Sequence, residues 1–143
     1  MKKRLFDLTL CLLTSPLWFL ALIAGSCAIW LQEGRPVFYV SSRRVWRTES
    51  LRLIKFRTMI LNAAQVANRA TTPIQHGVRF LNIPPDSPLY TPIGRFIEHW
   101  HLTEIPQFLH VLTGRMSIVG NRPLPENVIA SLKEVHPQTE KRF

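Results

Sequence analysis

The sequence is poor in acids: 9 Asp and Glu stand against 18 Lys and Arg, a formal charge of +9. A basic excess of this size suits an anionic partner, whether nucleic acid, a phosphorylated small molecule or the headgroups of a lipid leaflet. Cysteine is nearly absent, and the two present, Cys11 and Cys27, both lie in an apolar N-terminal run. A disulfide there would be buried among lipid tails, so they read as small apolar residues and nothing argues for an oxidising compartment. No internal repeat and no low-complexity tract is visible, which excludes solenoids and arrays. The 5 histidines, His76, His99, His101, His110 and His136, form no zinc-ligand spacing. No nucleic-acid motif is present, and the basic residues are not interleaved with stacking aromatics. At 143 residues the chain holds one domain at most.

What is abundant is the apolar N-terminus. Leu8 to Leu31 carries no formal charge, longer than the roughly 20 residues that cross a bilayer as a helix. It also exceeds the core of a signal peptide, about 7–15 residues. Two readings compete: a single spanning anchor, and a helix that enters the membrane and returns. Ser15-Pro16 breaks the run, since proline removes a backbone donor and clashes with the preceding turn. The Ser15 hydroxyl can satisfy a carbonyl freed by the break. Both flanks are basic, with Lys2, Lys3 and Arg4 before the run and Arg35, Arg43, Arg44 and Arg47 after it. The positive-inside rule therefore gives a spanning helix no clear direction, because both ends want the cytoplasm, and a re-entrant helix satisfies both at once. Asp7 is expected to pair with Lys3 or Arg4 at the interface.

Beyond the run, Pro36 to Val40 reads as a short strand or interfacial segment, and Leu51 to Phe56 alternates apolar and basic residues as a strand does. Met59 to Ala70 reads as a helix with Met59, Ile60, Ala63, Val66 and Ala67 on one packing face. The proline-rich stretch Thr71 to Pro92 reads as a loop, a lid over a site or a link. A helix is expected over Gly94 to Trp100, with Trp100 as an interface anchor and His99 and His101 pointing apart. Thr103 reads as the N-cap of a further helix, with Pro106 in its first turn, Ile105, Phe108, Leu109 and Leu112 on its core face, and Gly114 closing it. Met116 to Val119 is strand-like and leads into Gly120-Asn121-Arg122-Pro123. Glu126 to His136 is expected to be an amphipathic helix. The pattern predicts an α+β, mostly helical protein. A re-entrant membrane helix with a Ser-Pro break spans residues 1–33, and a small cytoplasmic domain of short helices and a few short strands spans 34–143.

Several motifs stand in a telling order: Lys3-Arg4-Leu5-Phe6-Asp7, Ser15-Pro16, Lys55-Phe56-Arg57-Thr58-Met59, and the block LTEIPQFLHVLTGRMSIVGNRPLP from Leu102 to Pro125. Together they resemble the bacterial sugar transferases, the small monotopic phosphoglycosyl transferases. That family opens with Lys-Arg-x-x-Asp and a mid-helix Ser-Pro, and carries Lys-Phe-Arg-Thr-Met. Its signature block reads Asp-Glu-Leu-Pro-Gln, then Gly-Asp-Met-Ser, then Gly-Pro-Arg-Pro. The resemblance implies transfer of sugar-1-phosphate from a UDP-sugar to polyprenyl (undecaprenyl) phosphate, with UMP leaving and Mg²⁺ required. It implies the cytoplasmic face of a bacterial inner membrane, contact with its lipids and with later glycosyltransferases, and the start of an exopolysaccharide, capsule or O-antigen type glycan. In the family the aspartate attacks the β-phosphate, and the neighbouring glutamate is tied to the metal. By position, Glu104 is then the metal ligand and a catalytic candidate, and Thr103 stands at the nucleophile. Lys55, Arg57, Gln107, Arg122 and Pro123 are the substrate-binding candidates. The chemistry needs such cations, because two anionic reactants must meet.

The departures are as informative. Thr103 replaces the nucleophilic aspartate, and a neutral hydroxyl attacks poorly unless a base takes its proton. Glu98 stands where the family has an arginine, Arg115 where it has the aspartate before Met-Ser, His110 where asparagine is frequent, and Asn121 where proline is common. The glycine turn expected near Trp46 is missing. The chain stops at Phe143 where the family continues into Pro-Gly-x-Thr-Gly, as in a short or truncated member. Three accounts stay open: a nucleophilic role for Glu104 or a base-assisted Thr103, a direct transfer around Mg²⁺ without a covalent step, and a catalytically impaired relative acting as a membrane scaffold or nucleotide-sugar binder.

Overall fold

The structure, a computed structural model, describes residues 2–46, 49–67, 83–121 and 123–135. Two helices open the chain, α1 (Lys2–Leu13) and α2 (Ser15–Glu33), separated at Thr14. The break follows from the side chains. Pro16, in the first turn of α2, offers no N–H to the Leu12 carbonyl, and the Ser15 hydroxyl donates to that carbonyl instead at 2.7 Å. The indole Nε1 of Trp18 donates to the Cys11 carbonyl at 2.9 Å, and the Thr14 hydroxyl donates to Leu10 O at 2.8 Å. The carbonyls around the kink are thus satisfied without water, as an apolar surround demands.

Helix α2 is 19 residues long with a mean hydropathy of 1.4, and only 11 % of its apolar window is buried in the protein, so it is long and apolar enough to cross a membrane. Leu12, Leu13, Leu17, Leu20 and Leu31 stand exposed along α1 and α2. A helix apolar all round yet uncovered by protein is suited to lipid rather than water.

A two-stranded antiparallel sheet follows, β1 (Phe38–Trp46) with β2 (Glu49–Phe56), in a register that sets Phe38 opposite Phe56 and Tyr39 opposite Lys55. β1 thus runs well past the expected Val40. The expected helix over Met59 to Ala70 shrinks to α3 (Ala63–Val66) among the described residues. The reason is tertiary: Met59 bridges Tyr90, and Ile60 N–H donates to Leu89 O at 3.0 Å, which holds this stretch extended. Residues 68–82, most of the expected loop, lie outside the described residues.

Helix α4 (Pro92–His99) is capped by Thr91, whose hydroxyl accepts from Gly94 N–H at 3.0 Å. A 3-10 helix (Leu102–Gln107) leads into α5 (Phe108–Leu112), and α6 (Glu126–Val135) closes the described chain. Met116 to Val119 is irregular rather than strand-like. Its backbone is tied instead to α1, as described below.

The core has two clusters. Cys11, Trp18 and Val111 form one, with Phe108 stacked on Trp18 at 5.4 Å and 3°. Ile29, Phe56 and Ile97 form the other, and Leu22 and Ile105 pack against both. Helix α2 therefore lends one face, Trp18, Leu22 and Ile29, to the core. Two glycines permit the closeness. A Cβ at Gly25 would stand 2.8 Å from the Phe56 ring, and one at Gly94 would stand 2.0 Å from the Thr58 carbonyl oxygen.

Candidate active site

Two contacts gather part of the candidate set: Lys55 of β2 meets Glu104 of the 3-10 helix, and Thr103 beside it meets Glu98 of α4. Lys55, at the end of β2, donates from Nζ to Glu104 Oε1 at 2.8 Å. The lysine side chain is 17 % exposed and the glutamate 42 %, so this pair faces a solvent-accessible rim. Arg57 has a different setting. Its Nη2 donates to both the carboxylate and the backbone carbonyl of Glu33, each at 3.1 Å, and the pair is buried. A cation on the last carbonyl of α2 suits the negative pole of that helix. Among the described residues, Arg57 Nε and Nη1 and Glu33 Oε1 have no hydrogen-bond partner. A shallow, open cavity of about 340 Å³ lies against this pair, lined also by Met59, Ile60, Leu61, Asn62 and Thr91. That cavity does not include Lys55, Thr103 or Glu104, which the chemistry favours as the reacting centre.

Thr103 does not cap a helix as expected. His101 takes the cap position in a left-handed conformation, φ 54°, and Thr103 falls inside the 3-10 turn. His101 N–H donates to the Glu98 carbonyl at 3.0 Å, which closes α4 and folds the chain back over it. The Thr103 hydroxyl then reaches Glu98 and donates to Oε2 at 2.6 Å. A non-glycine residue with positive φ is uncommon, and such strain clusters at functional sites. Tyr90, buried nearby, has its phenol pushed up to about 12, first by burial and then by the Glu98 carboxylate.

Gln107 is buried, with no partner for Nε2 among the described residues. Arg122 lies outside the described residues, and Pro123 is half-buried. The loop that carries them is pinned on both sides. Asp7, 3 % exposed, accepts from the Ser117 hydroxyl and the Ile118 N–H, each at 3.1 Å. Arg44 N–H donates to Leu124 O at 2.9 Å. The expected pairing of Asp7 with Lys3 or Arg4 is therefore corrected: Asp7 anchors the signature loop. Arg4 donates instead to the carbonyls of Val111 and Leu112 at the end of α5. The physical reason is that a buried carboxylate needs donors in place, and a loop N–H and hydroxyl supply them.

Sequence reasoning saw Glu98 as a reversed charge and overlooked Glu33. The signal for Glu98 was its five-residue spacing from Thr103 across a helix end. Glu33 carried none, since its partner lies 24 residues away. Among the described residues no group of three or more His, Cys, Asp or Glu could hold a metal ion.

An apolar helix packed by one face on a small domain, with a Lys55–Glu104 pair and an Asp7-pinned loop in that domain, defines the class. The chain belongs to the bacterial sugar transferase family, whose model matches residues 1–143. It is 32 % identical over 135 residues to the exopolysaccharide production protein ExoY of Sinorhizobium fredii, which covers 87 % of this chain and 57 % of that protein. It is 32 % identical over 122 residues to the UDP-glucose:undecaprenyl-phosphate glucose-1-phosphate transferase of Escherichia coli, covering 85 % of this chain and 24 % of the relative. Identity is 30 % over 122 residues to the UDP-N-acetylgalactosamine-undecaprenyl-phosphate N-acetylgalactosaminephosphotransferase of Aeromonas hydrophila, covering 85 % and 26 %. The chain thus spans 57 % of the first relative's length and about a quarter of the other two.

Proposed function

We propose that this chain transfers sugar-1-phosphate from a UDP-sugar to undecaprenyl phosphate at the cytoplasmic face of a bacterial inner membrane, initiating a surface glycan. The observation that carries the reading is the partly exposed Lys55–Glu104 pair, held in a domain that packs on an apolar helix whose other faces are uncovered. A soluble anionic donor and a lipid-borne acceptor can meet only at such a boundary. Two of the relatives are named for transfer to undecaprenyl phosphate.

Within the site, Lys55 offers a point charge to the donor pyrophosphate once it releases Glu104. Mg²⁺ takes few protein ligands and completes its shell with water and substrate phosphates, so the accessible carboxylate of Glu104 fits it. There it would offset charge on the diphosphate. The loop pinned by Asp7 presents Asn121 and Pro123 beside the reactants. Arg57, held by Glu33, serves the wall of the site and the end of α2.

The re-entrant reading of the N-terminus rests on packing. Cys11, Trp18, Leu22 and Ile29 all touch the same domain, so both arms of the kinked helix pair return to one side. A helix crossing both leaflets would carry most of these contacts away from the domain.

The test is release of UMP from UDP-sugars by the full chain in lipid nanodiscs with undecaprenyl phosphate and Mg²⁺. We expect turnover that requires the lipid phosphate, and a loss of more than about 100-fold in Lys55→Met. Absence of UMP release across UDP-glucose, UDP-galactose and their N-acetyl derivatives would rule the reading out. A second reading, a scaffold without catalysis, is favoured by Thr103 at the nucleophile's place. It predicts a silent wild type that gains activity in Thr103→Asp with Glu98→Arg.

A further inference from the structure

We propose that Glu98 is the nucleophile of this chain, with the Thr103 hydroxyl as its positioning donor; the inference rests on the transfer reading above. The geometry brings a carboxylate to within 2.6 Å of the side chain that occupies the nucleophile's place. The acid lost at 103 is thereby supplied from α4, one helix end away. Both side chains are partly exposed. Glu98 lies in the last turn of α4, where the negative pole of the helix disfavours an anion. Helix stability therefore does not explain a carboxylate there.

The alternatives are weaker on chemistry. Thr103 could attack if Glu98 took its proton, but the product would be a dialkyl phosphodiester. Its release by the lipid phosphate needs Glu98 to return that proton, and it expels an alcohol, a far poorer leaving group than a carboxylate. A glutamyl adduct is a mixed anhydride whose leaving group is a carboxylate, a far weaker base than an alkoxide. Glu104 is the weaker candidate because its Oε1 is held by an ammonium group at 2.8 Å in the free chain and its carboxylate is given to Mg²⁺ in the transfer reading, whereas the bond at Glu98 Oε2 comes from a neutral hydroxyl.

The step balances as follows. Oε1 of Glu98 forms a bond to the β-phosphorus of the UDP-sugar. The bond from that phosphorus to the oxygen shared with the α-phosphorus breaks, and UMP leaves with the electron pair. The terminal oxygen of undecaprenyl phosphate then bonds to the same phosphorus, and the bond to Glu98 breaks, which restores the carboxylate. Both nucleophiles attack as anions, so no proton is transferred to or from the protein and nothing is oxidised or reduced. Thr103 holds Oε2 and so aims Oε1.

The experiment incubates the full chain in nanodiscs with Mg²⁺ and each of the four UDP-sugars, without acceptor, followed by acid quench and intact mass measurement. A hexose-phosphate or N-acetylhexosamine-phosphate adduct is expected, removed by hydroxylamine and mapped to the peptide containing Glu98. Glu98→Gln should lose the adduct and lower UMP release by more than about 100-fold, with UDP-sugar binding retained. Thr103→Ala should lower kcat about 10-fold with KM unchanged, as expected of a positioning contact, and Thr103→Ser should restore it. An adduct on Thr103 or Glu104, or one that resists hydroxylamine, would overturn the proposal. So would undiminished turnover by Glu98→Gln, and in that case the transfer reading stands. Wild-type protein that releases no UMP with acceptor present would instead sink both.

Discussion

Asp7 shows how much one side chain can hold. A buried carboxylate bonded to a loop hydroxyl and a loop N–H ties the first helix to the loop that bears Asn121 and Pro123. Asp7→Ala takes the Asp7 acceptor from the Ile118 N–H, while the Ser117 hydroxyl keeps the Val119 carbonyl at 3.1 Å, and we expect a loss of about 1–3 kcal/mol of stability, read as a lower unfolding midpoint in detergent. Ser117→Ala should cost less, because the Ile118 N–H keeps its bond. His110 carries a pH dependence. Burial lowers its pKa below 6.5, and the nearby Arg115 pushes it the same way. The unfolded chain then takes up a proton more readily than the folded one. Stability is present in full above 6.5 and is lost as pH falls toward the folded value. Thermal unfolding between about pH 7.5 and about pH 5.5 should show that fall, and His110→Gln should flatten it.

At the scale of elements, close approach decides. Helix α4 docks with Gly94 over the Thr58 carbonyl, where a methyl group would stand 2.0 Å from the oxygen. Gly94→Ala must push α4 off the β2 extension at a cost of about 1–3 kcal/mol or more. Since Glu98 and Thr91 ride on that helix, activity should fall further than stability does. Gly25→Ala meets only a ring edge at 2.8 Å and is expected to be milder. The elements also show what could be read from residues alone. α4, α6 and the break at Ser15-Pro16 follow from local chemistry: a Thr cap, an amphipathic period, a missing N–H. The helix expected from Met59 begins only at Ala63 and the strand expected at Met116 is irregular, because Leu89, Tyr90 and Asp7 impose their bonds from afar. For the site, Lys55 and Glu104 were legible as chemistry, but their mutual contact spans 49 residues, and no periodicity announces a partner at that range. Nor could spacing tell that Arg57 would turn inward to Glu33 while Lys55 stays at the rim.

For the whole molecule, charge and apolar surface act together. The +9 balance attracts the chain to an anionic leaflet, while exposed Leu5, Phe6, Leu13 and Leu17 offer it a firmer hold. Salt weakens the first and leaves the second nearly untouched. High salt should therefore leave the protein in the membrane pellet, and detergent should release it. Labels on both termini should react from the cytoplasmic side alone, and reaction of either from outside would reject the re-entrant arrangement.

Leu22 and Ile105 pack against both core clusters, and this sharing has a practical outcome. The anchor is not a tether that can be trimmed off to leave a tidy soluble catalyst. Cutting away the first 33 residues would strip Cys11, Trp18, Leu22 and Ile29 from the interior and leave Phe56 and Val111 bare. Such a fragment should aggregate on expression, so any attempt to study this protein free of lipid or surfactant would begin with half its centre missing.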